Sequence, residues 1–497
     1  MKSVRAGAVG LLTGLTVACA SQMQSGEKVA ARAGAPSIDI NLSNDLTHRY
    51  GESQIALNPK NPNNIIVASL TTGYTYACLA AKDPNCDLVP ANLVPGAPPF
   101  PQARGIFFGH NFDSVTAFVS QDRGKTWTRA TIPIPPKKYP HLTGWGDPSI
   151  TATSDGTFYL SFDLLDWGTP EKALPAAGIG VSKSTDGGKT WSDPELTGTP
   201  ADGPKITSDP TTSTVYIASS TTIGPRATGD PSTPPGKVSD RWIASSKDGV
   251  HWTSPHGAGG GSMHSAAYGL LAMAFKTISP GQGNLFGAPN SELCGSAPAP
   301  CTIFQTTTDA AATWTRHVMS VPSTSTGVMV AADPAKKGHF AVALLIGNAF
   351  HVYQTSDAGN TWTGPTVVTD DASKQHYHSW MAYSPNGVLG IMSRTRQPVS
   401  GQAPPAPAPG GFGAGPVTPY NVWAAISRDG GATFSEPLKV SSADSPAPQG
   451  GTMGNSADDY SSITLDREYA YVSWADWRPG ERSAFFRAIK LDAFKQK

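Results

Sequence analysis

The chain has 497 residues, with 37 Lys and Arg balanced by 37 Asp and Glu, and a formal net charge of zero. No run of basic residues interleaves with aromatics, which excludes the electrostatic footprint of a nucleic-acid binder. Only 15% of residues are charged, Gly (52) and Pro (44) are abundant, and no long apolar stripe repeats at helical period, so helical architectures give way to short strands joined by turns.

In chain order, residues 1–20 come first. Lys2 and Arg5 precede an apolar run over 6–18 and the small residues Cys19, Ala20 and Ser21. This is the pattern of a secretory signal, too short for a spanning helix, and predicts export. Leu15, Thr16, Val17, Ala18 and Cys19 are similar to a bacterial lipobox, with Thr16 where Leu is usual. Cys19 would then be lipidated and hold the protein at the cell envelope. Ala18-Cys19-Ala20 equally fits an ordinary signal-peptidase site and a secreted product. Small, polar residues 21–36 read as a flexible tether, and 37–497 as one domain. The four other cysteines form two sequence-local pairs, Cys78 with Cys86 and Cys294 with Cys301, expected as disulfides in an oxidising compartment. Neither pair has zinc-site spacing.

The rest of the chain is organised by a turn signature, S/T-x-D-x-G-x-x-W/F. It occurs at 120–127, 184–191, 307–314, 355–362 and 427–434, with Ala311 replacing Gly in one copy and a sixth copy at 246–252 one residue short. The chemistry is that of a hairpin. The Asp accepts backbone N–H groups two and three residues on, Gly takes positive φ, and the aromatic returns to the sheet. Asp122, Asp186, Asp248, Asp309, Asp357 and Asp429 recur about every 50 to 70 residues, one propeller blade plus a loop. The signature resembles the Asp-box, or BNR, repeat of the sialidase-like superfamily, which implies an all-β propeller of four-stranded blades. In that family the boxes lie away from the substrate face, so these aspartates are expected to cap turns.

A second pattern lies between the boxes: a polar residue, a short strand, a turn and a second strand. It starts at Glu52, Asp147, Pro204, His264, Val328, His378 and Asp459. Seven such hairpins against six boxes predict seven blades, the seventh running from about Ser456 to Leu491 and completed by an N-terminal strand at 37–42. Six blades is the alternative. Pro- and Gly-rich insertions at 77–110, 224–239, 280–301 and 397–420 are too long for structural turns and read as functional loops.

Side chains at the starts of the inner strands would converge on the central funnel. They include Glu52, Asp147, Lys205, His264, His376, Tyr377, His378, Asp458, Asp459 and Tyr460. Acids, histidines and tyrosines around one axis suit sugar processing, where one carboxyl shuttles a proton and another group stabilises the reacting centre. No cofactor is indicated. Calcium is the cation such acids would suit, and His376 with His378 would share a strand face, but no third ligand is identifiable, so no metal site is assigned.

The resemblance implies an exported, glycan-directed exo-glycosidase of sialidase type. Asp147 or Glu52 would be the acid/base and Tyr460 or Tyr377 the nucleophile. Asp459, His378 and His264 are further catalytic candidates. Arg394 with Arg478 would clamp an anionic sugar, assisted by Lys205 and Tyr377. The family's R-I-P-like signature is absent, with Ala103-Arg104-Gly105-Ile106 the nearest match. Two alternatives stand beside this reading: a non-catalytic surface lipoprotein binding glycan or protein, and a polysaccharide lyase using His264, His378 and Tyr460. The expected partner is a glycan or glycoconjugate, with no nucleic acid, membrane contact only through a lipid anchor, and a monomeric state.

Overall fold

The computed structural model describes residues 28–29, 39–45, 48–72, 115–134, 136–139, 142–166, 176–199, 203–220, 241–258, 264–277, 291–298, 300–322, 325, 327–397, 419–446 and 460–497. They form seven antiparallel sheets, six of four strands and one of five. The innermost strands, in chain order, are Arg49–Asn58, Leu142–Ala152, Lys205–Ser208, His264–Ala267, Gly327–Ala332, Gln375–Tyr383 and Ser462–Leu465. All seven hairpins read from the sequence supply the inner two strands of a blade.

Seven blades are present, and the six-bladed alternative falls. The seventh is completed by the N-terminal strand Ile40–Asn41, whose residues pair with Phe486 and Phe485. That pairing covers an edge that would otherwise stay open. The short strand Lys28–Val29 also pairs with the outer strand of blade one, adding its fifth strand within the segment expected as a tether. The seam between blades seven and one is packed by Leu42, Tyr50, Phe118, Trp127, Tyr471 and Phe486, all buried.

Each Asp-box closes the outer hairpin of its blade. In the five full copies the carboxylate binds the Thr four residues on and the leading Ser or Thr hydroxyl; the expected backbone group three on also acts on Asp122, Asp186 and Asp357. Thr126, Thr190, Thr313, Thr361 and Thr433 each donate Oγ1 at 2.6 Å to one carboxylate oxygen, and their N–H groups reach the other. In the short copy the missing residue restores the simple pattern: Asp248 accepts the N–H groups of Val250 and His251, both at 2.8 Å. The leading Ser or Thr accepts the N–H at the glycine position. Ala311 adopts φ 72° there, a region costly for a residue with a Cβ.

These bonds hold the box carboxylates ionised. Hydrogen bonds from Thr313 and Thr361 bring Asp309 and Asp357 down to about 2, from an ordinary 3.8. A carboxyl with a depressed folded pKa contributes stability above its unfolded pKa and loses it as pH falls through the folded one. Urea midpoints are therefore expected to drop between pH 3.8 and about 2, and to drop less over that window in Asp309→Asn.

The boxes and the inner-hairpin turns share one face of the ring. Asn64, in the first inner turn, donates to the carbonyls of Ser120 (3.1 Å) and Gly187 (3.0 Å), in the boxes of its own and the next blade. Inner strands therefore begin at the opposite face, where the strands on either side of the long insertions also end. As expected from the family resemblance, the box aspartates stand away from the strand starts.

Candidate functional site

Three inner strands carry the same distortion near their starts. Ladder pairing slips between Gly51 and Gln54, between Gly146 and Ser149, and between Tyr377 and Trp380. At each slip one residue takes a left-handed conformation: Glu52 (φ 52°), Asp147 (φ 51°) and His378 (φ 49°). None is glycine, so each is strained, and strain of this kind persists where surrounding bonds impose it, commonly at functional sites. In blades one and six a serine of the second strand anchors the residue before the slip. Ser69 Oγ donates to the Gly51 carbonyl (2.8 Å) and Ser393 Oγ to that of Tyr377 (3.3 Å).

The slips bring two carboxylates to one phenol. The Tyr460 hydroxyl lies 3.1 Å from Asp147 Oδ1 and 3.3 Å from Glu52 Oε2, and the Asp147 N–H donates to the same Glu52 oxygen at 3.1 Å. Blades one, two and seven thus meet at Tyr460. Blade three adds Lys205, whose ammonium sits 3.6 Å from the centre of the Tyr460 ring and donates to the Pro204 carbonyl at 3.2 Å. Burial pushes the Lys205 pKa down, Asp147, Glu52 and Asp163 pull it up, and Arg241 opposes them.

His264, from blade four, is buried next to this group. Burial lowers its pKa to about 4, against the pull of the Tyr216 carbonyl and with Arg241 and Lys205 pushing the same way as burial. The ring is neutral at neutral pH. Lys205 and His264 also line a cavity of about 130 Å³ along the axis, together with Ser265, Trp380 and Tyr383. Blade six contributes Arg394, which is buried, donates Nε to Ser461 Oγ at 2.9 Å and lies 5.1 Å over the Tyr420 ring.

Other expected residues lie elsewhere. Arg478 is held by Asp476 and Asp39, each at 2.8 Å, and stacks on Phe485. Among the described residues nothing ties it to Tyr460 or Arg394. Tyr377 meets His378 edge-on and lies under Arg396, 4.8 Å from its ring centre. His376 packs between Phe350 and Trp423, 3.1 Å from the Thr369 hydroxyl. The slip at His378 breaks the strand alternation on which a shared face for the two histidines depended. No group of three or more metal-ligating side chains occurs among the described residues.

Cys294 and Cys301 form the expected disulfide, Cα atoms 5.8 Å apart. Cys19, Cys78, Cys86, Asp458 and Asp459 lie outside the described residues. Sequence reading missed Asp163, fully buried near the end of the strand Phe158–Asp166. Alternation from Tyr159 and Ser161 would have placed it on their face. It also missed the buried Arg49–Glu481 pair at 3.0 Å.

No family model and no curated protein matches the chain. Solved structures do. A Hadza microbial sialidase, Hz136, is 19% identical over 70% of this chain and 66% of its own, with a TM-score of 0.40. A protein of unknown function from Dyadobacter fermentans is 13% identical over 94% of this chain and 99% of its own, at 0.43. Trypanosoma rangeli sialidase is 12% identical over 93% of this chain and 58% of its own, at 0.37. Sialidase propellers are among the folds this chain resembles. The chain spans less than two thirds of the length of either sialidase.

Within the site, a carboxylate on a phenol can take its proton, and a second carboxyl on the same oxygen can serve a leaving group, given a sugar held between them.

Proposed function

We propose that the protein is an exported glycoside hydrolase that removes terminal sugars by a sialidase-type mechanism. The observation that carries this is the Tyr460 hydroxyl, shared at 3.1 and 3.3 Å by Asp147 and Glu52. Of the two tyrosines considered as nucleophile, Tyr460 is the one that meets both carboxylates, so it takes the role. Glu52 accepts the phenol proton as the oxygen attacks the anomeric carbon. Asp147 protonates the departing oxygen, then activates the water that releases the sugar. Arg394 reaches the neighbourhood of Tyr460 through Ser461 and would receive an anionic substituent. Export, with Cys19 lipidated or the leader removed, follows from the basic, apolar and small-residue pattern of 1–20.

The test is a panel of fluorogenic glycosides, sialosides included, together with a glycan array. Release of fluorophore by the wild-type chain, absent in Tyr460→Phe, supports the reading. Glycan binding without turnover of any glycoside overturns it in favour of a non-catalytic binding propeller.

A further inference from the structure

Resting on Tyr460 as the reacting group, we propose that Lys205 is a positioning residue whose ammonium, seated over the phenol ring, sets the acidity of the Tyr460 hydroxyl. The geometry is specific. Lys205 Nζ lies 3.6 Å from the ring centre, with the side chain nine-tenths or more buried. A cation on an aromatic face is attracted by the ring's quadrupole, more strongly when water is excluded. That attraction grows when the ring gains a negative charge. Removing the phenol proton places such a charge within reach of the ammonium, so the cation favours the ionised form over the neutral one.

The surrounding charges define what Lys205 must overcome. Blade one presents Glu52 and blade two Asp147, both touching the hydroxyl, and the Glu52 carboxylate resists a second negative charge beside it. Blade two also contributes Asp163 and blade three Arg241, both acting on Lys205, and blade four the neutral His264, whose pKa Lys205 helps to lower. Blade six reaches the site through Arg394 on Ser461, the residue next to Tyr460. Lys205 is seated on the Tyr460 ring. The proton leaving Tyr460 passes to the Glu52 carboxylate. Burial works against the Lys205 ammonium, and Asp147, Glu52 and Asp163 work for it.

The experiment reads ionisation directly and needs no substrate. Tyrosinate absorbance is titrated in the wild-type chain and in Tyr460→Phe, and the difference isolates one phenol among 14 tyrosines. The same difference is measured in a Lys205→Met background, which removes the charge and keeps the length. The expected result is a Tyr460 midpoint at least about one pH unit higher in that background, a tenfold loss of acidity. A smaller shift, or none, overturns the proposal. Where Lys205→Met fails to fold by circular dichroism, Lys205→Gln gives the same readout. The two readings fail separately. A shifted midpoint without hydrolysis of any glycoside removes only the glycosidase assignment, and hydrolysis without a shift removes only the role of Lys205.

Discussion

Glu52→Gln lowers kcat/KM for the responsive glycoside by about a hundred- to ten-thousand-fold, the range for loss of a general acid or base. The substitution keeps the shape of the side chain and an oxygen able to accept the Asp147 N–H, now at 3.1 Å. It removes the capacity to take the Tyr460 proton. The loss is expected equally with aryl and alkyl leaving groups, because the impaired step is activation of the nucleophile. Asp147→Asn is expected to behave differently. Its loss is large for alkyl glycosides, whose leaving oxygen must be protonated, and small for activated aryl glycosides in the glycosylation step. Steady-state kinetics with the two substrate types separates the roles. Equal activity of Glu52→Gln and wild type on all of them would end the assignment. Unfolding midpoints of both variants should stay close to wild type, since each substitution changes one atom at a site whose backbone is pinned by neighbours such as Ser69 on Gly51.

Trp127→Ala is expected to cost about 3–5 kcal/mol in urea-unfolding free energy, the range for deleting a large buried aromatic. Trp127 is 1% exposed. Its Nε1 donates to the Gly124 carbonyl at 2.9 Å, and its ring meets Phe486 of blade seven edge-on at 4.8 Å. The same ring therefore fixes its own box and holds the seam where the propeller closes. Truncation leaves a cavity between two sheets that cannot collapse without opening the ring. The corresponding Trp252, in the short box, is only partly buried against its cluster, so Trp252→Ala should lose less than half as much.

Much of this architecture is written in local sequence. Six box signatures, seven polar-to-apolar hairpins and a strand near residue 40 set apart from the other blades are features of neighbouring residues, and turn chemistry acts on neighbours. One further signal is legible: the Thr before the aromatic in all five full boxes, which supplies two of the bonds to the carboxylate. The residues at the strand starts were also legible as a set, because each inner strand opens at the same face.

How that set divides was decided in three dimensions. Tyr460 and Tyr377 look alike in sequence, but Tyr460 stands at the start of blade seven, next to blade one, and meets Glu52 and Asp147 while Tyr377 meets Arg396. Arg478 reads as a spare guanidinium until the N-terminal segment folds back and brings Asp39 to it. The slips that turn Glu52, Asp147 and His378 depend on ladder register between strands, which no single strand encodes. Local residue order thus determined which units form and how many. Only the closed ring, by setting each blade's neighbours, decided which side chains share a proton.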